Sequence, residues 1–108
     1  MDNTARIRAL NDAFRKTFTG GRVMLTVAVN TLPDTDRAAV LAKVRTFDDF
    51  KSDNDPYGEH DFVAIAHDGD KYFAKVDYYA RDLQHGSDDP ADPTKTIRVL
   101  TVMRADEY

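Results

Sequence analysis

The sequence predicts an α+β fold: two amphipathic helices packed on one face of a four-stranded, mainly antiparallel sheet, in the chain order α-β-α-β-β-β. Three observations predict it. Apolar residues recur at helical spacing in two stretches, Ile7, Leu10, Phe14 and Phe18 in the first and Val40, Leu41, Val44, Phe47 and Phe50 in the second. Asp68-Gly69 separates two β-rich runs, a hairpin signature because a type I′ turn needs φ > 0 at both central residues. Two further apolar, β-branched runs, Arg22 to Asn30 and Ile97 to Arg104, supply the remaining strands.

The first helix spans residues 2–18, with Arg6, Arg8, Asn11, Asp12, Arg15 and Lys16 on its polar face, and Gly20-Gly21 end it. Arg22 to Asn30 is apolar on nearly both sides, which predicts a central strand. Thr31 with Asp34 three residues on resembles a capping box, and Pro33 suits a first helical turn, so the second helix starts there and runs to about Phe50. Lys51 to Glu59 and Ala80 to Thr96 read as two long loops, stiffened by Pro56, Pro90 and Pro93. No repeat, linker or composition break divides the 108 residues, and one domain is expected over 1–108.

With Asp68 and Gly69 as the hairpin loop, His67 faces Asp70, Ile65 faces Tyr72, Val63 faces Ala74, Asp61 faces Val76 and His60 faces Asp77. Val63, Ile65, Tyr72, Ala74 and Val76 then share a core face. His60, Phe62, Ala64, Phe73, Lys75 and Asp77 share the other. Directly opposed side chains stand roughly 5 Å apart at Cβ, so an imidazole and a carboxylate can touch there. Such a His60–Asp77 pair suits general acid/base work or a metal ligand with its supporting carboxylate, and equally a structural tie between a loop end and a strand.

Composition narrows the chemistry. The absence of cysteine removes disulfides, thiolate zinc sites and cysteine nucleophiles, and fits a reducing, cytoplasmic setting. The longest near-apolar run, Val23 to Val29, is far short of a membrane span, and the N-terminal residues lack a signal-peptide core. The net charge of −4 is unevenly placed: residues 1–22 carry five Lys/Arg against two acids, residues 48–61 six acids against one Lys, and residues 77–92 five acids against one Arg. An acidic rim of this kind repels a phosphate backbone and attracts cations or a basic partner surface. The expected partner is therefore a protein with a basic surface, with no direct nucleic-acid binding and no membrane.

Catalytic signatures are thin. Asp53 to Glu59 invites comparison with a calcium loop, but Tyr57 and Ala64 would occupy ligand places that require oxygen donors. A looser divalent-metal set from Asp55, Glu59, His60 and Asp77 remains, with no other cofactor expected. Ser52 and Ser87 lie in loops without the strand-turn-helix elbow of a serine nucleophile, and His67 alternates away from His60. Tyr78 and Tyr79 beside Arg81, with Asp88, Asp89 and Asp92, form a candidate binding surface. The exposed Phe62 and Phe73 make a homodimer a reasonable expectation.

Four runs carry a family resemblance: D-N-D-P-Y-G-E-H-D-F (Asp53 to Phe62), V-D-Y-Y-A-R-D-L (Val76 to Leu83), G-S-D-D-P-A-D-P (Gly86 to Pro93) and R-V-L-T-V-M-R-A-D-E-Y at the end. Through them the chain resembles the short bacterial proteins of domain-of-unknown-function family 3768. That resemblance implies no activity and no catalytic residues, but an accessory or anti-defence role, since similar proteins occur near plasmid or phage-like genes. Two expectations follow. The first is a non-enzymatic acidic interaction module, inhibiting a nucleic-acid-handling or defence complex; the alternative is a small metal-assisted or acid/base enzyme built on His60 and Asp77.

Overall fold

A computed structural model describes residues 3–108. Its elements are α1 (Thr4–Thr17), β1 (Arg22–Leu25), a one-turn α2 (Val27–Asn30), α3 (Asp34–Thr46), β2 (Phe62–His67), β3 (Asp70–Tyr79), β4 (Ile97–Arg104) and a closing 3-10 turn (Ala105–Glu107). The four strands make one sheet in the order β1-β4-β3-β2, with β1 parallel to β4 and the other pairs antiparallel. The α+β class and the mainly antiparallel sheet are therefore as expected from the sequence.

Helices cover one face only. Val63 of β2, Tyr72, Ala74 and Val76 of β3, and Leu100 and Val102 of β4 meet Phe14, Val29, Val40 and Val44 in the buried core. Truncating a residue as buried as Leu100 to alanine costs about 2–5 kcal/mol. On the other face Tyr108 packs against Phe62 and Phe73, with ring centroids 5.9 and 5.6 Å away. Asp68 (φ 53°) and Gly69 (φ 83°) both take the left-handed region, as the type I′ turn requires, and pairing runs from His67↔Asp70 to Phe62↔Lys75 as predicted.

Three local expectations are corrected. The run from Arg22 to Asn30 is not one central strand: β1 stops at Leu25 and lies on a sheet edge. The Glu107 carboxylate accepts from the Thr26 hydroxyl (2.6 Å) and from the Ala28 N–H (3.0 Å), turning the backbone into α2. Periodicity cannot separate a short buried strand from a helical turn in such a run. The Thr31 hydroxyl donates to the Val27 carbonyl instead of capping α3, which ends at Thr46 because Phe47 is extended. Phe18, not a glycine, takes the left-handed position that ends α1 (φ 57°). Gly21 serves a different need, since a Cβ there would stand 2.5 Å from the Arg98 carbonyl oxygen and 2.7 Å from the Phe14 ring.

Candidate functional site

Between α3 and β2 the chain forms a strap, residues 47–61, held by turn chemistry of its own acids and amides. The Asn54 side-chain Oδ1 accepts from the Lys51 N–H (2.6 Å), its Nδ2 donates to the Asp49 carbonyl (2.8 Å), and the Asp55 N–H reaches the Lys51 carbonyl (2.8 Å). Asp55 is buried and accepts from the His60 N–H (3.1 Å). These bonds lie within the strap itself.

His60 decides where it docks. Its φ of 56° breaks the strand alternation one residue before Asp61, whose carbonyl still accepts from the Val76 N–H (2.8 Å). The imidazole therefore does not reach Asp77. It turns to α1, where Nδ1 lies 2.9 and 3.1 Å from the two Asp12 carboxylate oxygens, while Nε2 faces Asp55 at 3.6 Å. The Phe50 ring stacks flat on it at 3.8 Å. Arg15, buried despite its place on the polar side of the sequence pattern, donates to Asp12 (3.0 Å) and to the Phe47 carbonyl (3.2 Å).

The expected His60–Asp77 pair is thus corrected to His60 with Asp12 and Asp55. Asp77 stays on the open sheet face, 3.4 Å from Lys75 Nζ. Glu59 leaves the expected metal set as well, accepting from the Tyr78 hydroxyl at 2.7 Å. Asp55, Glu59, His60 and Asp77 do not converge, and among the described residues no group of three or more His, Asp or Glu side chains is placed to hold a metal ion. The three histidines go three ways. His67 Nε2 donates to Asp36 (2.9 Å) while its Nδ1 accepts from Lys43 (3.1 Å), and His85 pairs with Asp82 (2.7 Å). Ser87 bonds Thr96 (2.6 Å), with no histidine on it.

Beside the strap lies a polar cluster built on Asn11, which the sequence pattern placed on the polar face of α1. Asn11, fully buried, donates to the Tyr78 hydroxyl (2.8 Å) and the Glu59 carbonyl (3.0 Å) and accepts from Arg98 Nε (2.8 Å). Arg98, 3% exposed, also donates to the Pro90 carbonyl and lies over the Tyr78 ring at 5.2 Å. Burial holds the Arg98 guanidinium below its ordinary pKa. Burial, then the bond to Glu59, pushes the Tyr78 phenol up. Asp61 is raised as well, first by burial and then by Glu59, Asp55 and Asp77 nearby. Signals for this cluster were present: Asn11 continues the Ile7, Phe14, Phe18 stripe, and Arg98 is in phase with Leu100 and Val102.

The proposed binding residues separate. Tyr78 points into the cluster, whereas Tyr79 lies on the open face and bridges to Gly86. Arg81 and Asp88 are exposed. Asp89 and Asp92 instead brace their own loop, Asp89 accepting from the Ala91 N–H (3.3 Å) and Asp92 from the Thr94 N–H (2.9 Å) and hydroxyl (2.6 Å). The Thr94 bonds hold Asp92 below the usual carboxylate range.

Three concavities border the strap: one of about 620 Å³ is lined by Lys16, Ala42, Arg45, Thr46, Phe47 and Asp48, and two are smaller. One of about 160 Å³ lies over the Asp12–His60 pair, with Arg15, Lys16, Phe47, Asp48 and Phe50 around it. The other, about 420 Å³, runs between the strap and β2 and is lined by Phe47, Asp49, Asp53, Asn54, Phe62 and Ala64. Its lining combines three apolar side chains with two carboxylates and one amide.

The chain belongs to the family described as "Protein of unknown function (DUF3768)", whose model matches residues 25–107. No curated protein and no solved structure matches it. The matched span includes the strap, the hairpin and β4 but leaves out α1, which contributes Asn11, Asp12 and Arg15. No helix among the described residues is long and apolar enough to cross a membrane.

Proposed function

We propose that this protein is a non-enzymatic interaction module that covers a basic surface on another protein. The observation that carries this reading is the groove between the strap and β2, lined by Phe47, Phe62 and Ala64 together with Asp49 and Asp53. The carboxylates around His60 are engaged internally, Asp12 by Arg15 and His60, Asp55 by the His60 N–H, and Glu59 by Tyr78. Asp48, Asp49, Asp53 and Asp88 remain exposed on the two acidic loops. Proteins that handle nucleic acid carry basic surfaces for the phosphate backbone, so an inhibitor of such a complex, a defence complex included, is the role we assign, in the cytoplasm.

The alternative, an acid/base enzyme, is carried by the Asp12–His60 pair alone. It is the weaker reading, because one imidazole nitrogen is held by Asp12, the other faces Asp55, and Phe50 covers a ring face.

Affinity capture with the wild-type protein and with Asp49→Lys/Asp53→Lys and Asp88→Lys variants tests the proposal. A partner retained at low salt, released at high salt and lost on charge reversal is the expected result. Capture indifferent to salt and to both reversals overturns it.

A further inference from the structure

β2 is an edge strand, and the phase of its pairing tells which backbone groups are free. The Val76 N–H bond to Asp61 and the pairs Val63↔Ala74, Ile65↔Tyr72 and His67↔Asp70 place the inward hydrogen bonds on odd-numbered residues. Phe62, Ala64 and Ala66 therefore direct their N–H and C=O groups away from the sheet. Among the described residues, one hydrogen bond meets this outer side, from Lys43 Nζ to the Ala66 carbonyl (2.9 Å). Lys43 closes one end of the edge, and the groove lies along the rest.

An unpaired edge is a template for another strand, which would lie roughly 4.8 Å from β2. Its side chains on the open face would then fall beside Phe62 and Ala64, in the groove that Asp49 and Asp53 also line. Asn54 is committed to Lys51 and Asp49 backbone groups, so the free polarity of the groove is negative. Lys51 supplies an internal cation, 3.5 Å from Asp49 with both side chains exposed, a stand-in for a partner's ammonium group. Two copies joined through β2 would bring two acidic straps together, which disfavours a second copy as occupant.

We propose that the outer edge of β2 takes an extended segment of a partner protein as a fifth strand. A Lys or Arg of that segment lies across Phe62 and Ala64 with its charge between Asp49 and Asp53. This rests on the interaction-module reading above and names the chemistry of its partner. Backbone hydrogen bonds to Phe62 and Ala64 supply the strand geometry, and the acidic wall selects a basic side chain on the open face.

The test uses the full chain and a fluorescein-labelled peptide alternating lysine and threonine, which favours extended backbone. A second peptide carries N-methyl groups on alternate amides, and its partner carries them on the other alternate set. Binding to the wild type is expected to fall about tenfold or more in three cases: with Asp49→Lys/Asp53→Lys, with one of the two methylated peptides, and with Ala64→Pro. Proline is tolerated on the free side of an edge strand, and if Ala64→Pro does not fold the methylated peptides still decide the matter. Lys51→Ala is expected to tighten binding about threefold by releasing Asp49. If charge reversal weakens binding while neither methylation nor Ala64→Pro does, strand addition is overturned and the interaction module stands. If the peptide binds and no change weakens it, both readings of this groove fail. A peptide that does not bind, or self-association abolished by the same substitutions, overturns the proposal.

Discussion

From His67 back to Phe62 the hairpin pairs residue by residue with β3 in the register its Asp68-Gly69 turn dictates, whereas His60, two residues earlier, abandons that register for α1. The hairpin and the strap are contiguous, and both are held by hydrogen bonds. In the hairpin, the two left-handed residues and the core face of Val63, Ile65, Tyr72 and Ala74 agree on one register, so local turn chemistry suffices. In the strap, the decisive partners are Asp12, Arg15 and Asn11, separated from it by more than thirty positions in the sequence, and no local periodicity reports them. A register read from a turn is reliable only as far as the ladder it starts.

The largest expected effect breaks the strap side of this comparison. Asn11→Ala removes three hydrogen bonds, one buried and two partly buried, and leaves Arg98 Nε and the Glu59 carbonyl unpaired, so urea unfolding should show a loss of about 3 kcal/mol. Hydrogen exchange should then rise in residues 55–60 before it rises in the hairpin. On the hairpin side, Gly69→Ala forces a side chain into φ 83°, and about 1–2 kcal/mol should be lost with the β2–β3 register unchanged by nuclear Overhauser contacts. His60→Ala loses the Asp12 bond and the Phe50 stack, at a cost of about 1–2 kcal/mol, while Asp77→Ala should leave stability within about 0.5 kcal/mol. Equal losses from these last two substitutions would contradict the placement of His60.

Two smaller effects concern charge. The folded state raises the Asp61 pKa, so its ionised form is disfavoured relative to the unfolded chain, and stability falls as pH rises through the Asp61 titration. Asp61→Asn should therefore give a small rise in the unfolding midpoint at neutral pH. That rise should fade as acid protonates the wild-type carboxyl. In the second loop, bonds from the Gln84 N–H, the His85 ring and the His85 N–H hold Asp82 down at about 2, and the Asp82 bond raises His85. The Asp82 contribution is present above the ordinary carboxylate pKa and is lost as pH falls through the folded value. The His85 contribution is complete below the ordinary imidazole pKa and is lost as pH rises through the raised one. The pair is thus fully effective between about pH 4 and 6.5. Asp82→Asn should return the His85 titration, followed by NMR, to that of an ordinary histidine, with little change in global stability because both groups are exposed.

Much of the fold was legible because its elements carry redundant local signals. The stripe Ile7, Phe14, Phe18 marks α1, the turn marks the hairpin, and Leu100 and Val102 in alternation mark a half-buried β4. The candidate site was less legible. Arg15 falls on the polar face of α1 in the sequence pattern, yet it is buried and reaches the Phe47 carbonyl, a contact that only long-range packing creates; Arg98 is buried too, meeting Asn11 and the Pro90 carbonyl. Asp89 and Asp92 read as a binding rim, but an Asp followed two residues later by a backbone donor is an Asx turn, and that reading was available.

By itself the sequence determined the α+β class, the hairpin register and the uneven charge, because each depends on residues close in the chain or on composition alone. Tertiary structure decided that β1 lies on an edge, that Glu107 ends it, that His60 meets Asp12, and that the outer side of β2 stays open beside Asp49 and Asp53. These outcomes depend on which distant segments share the space around a buried polar group. An unpaired N–H or carbonyl in that space is costly enough to override local preference.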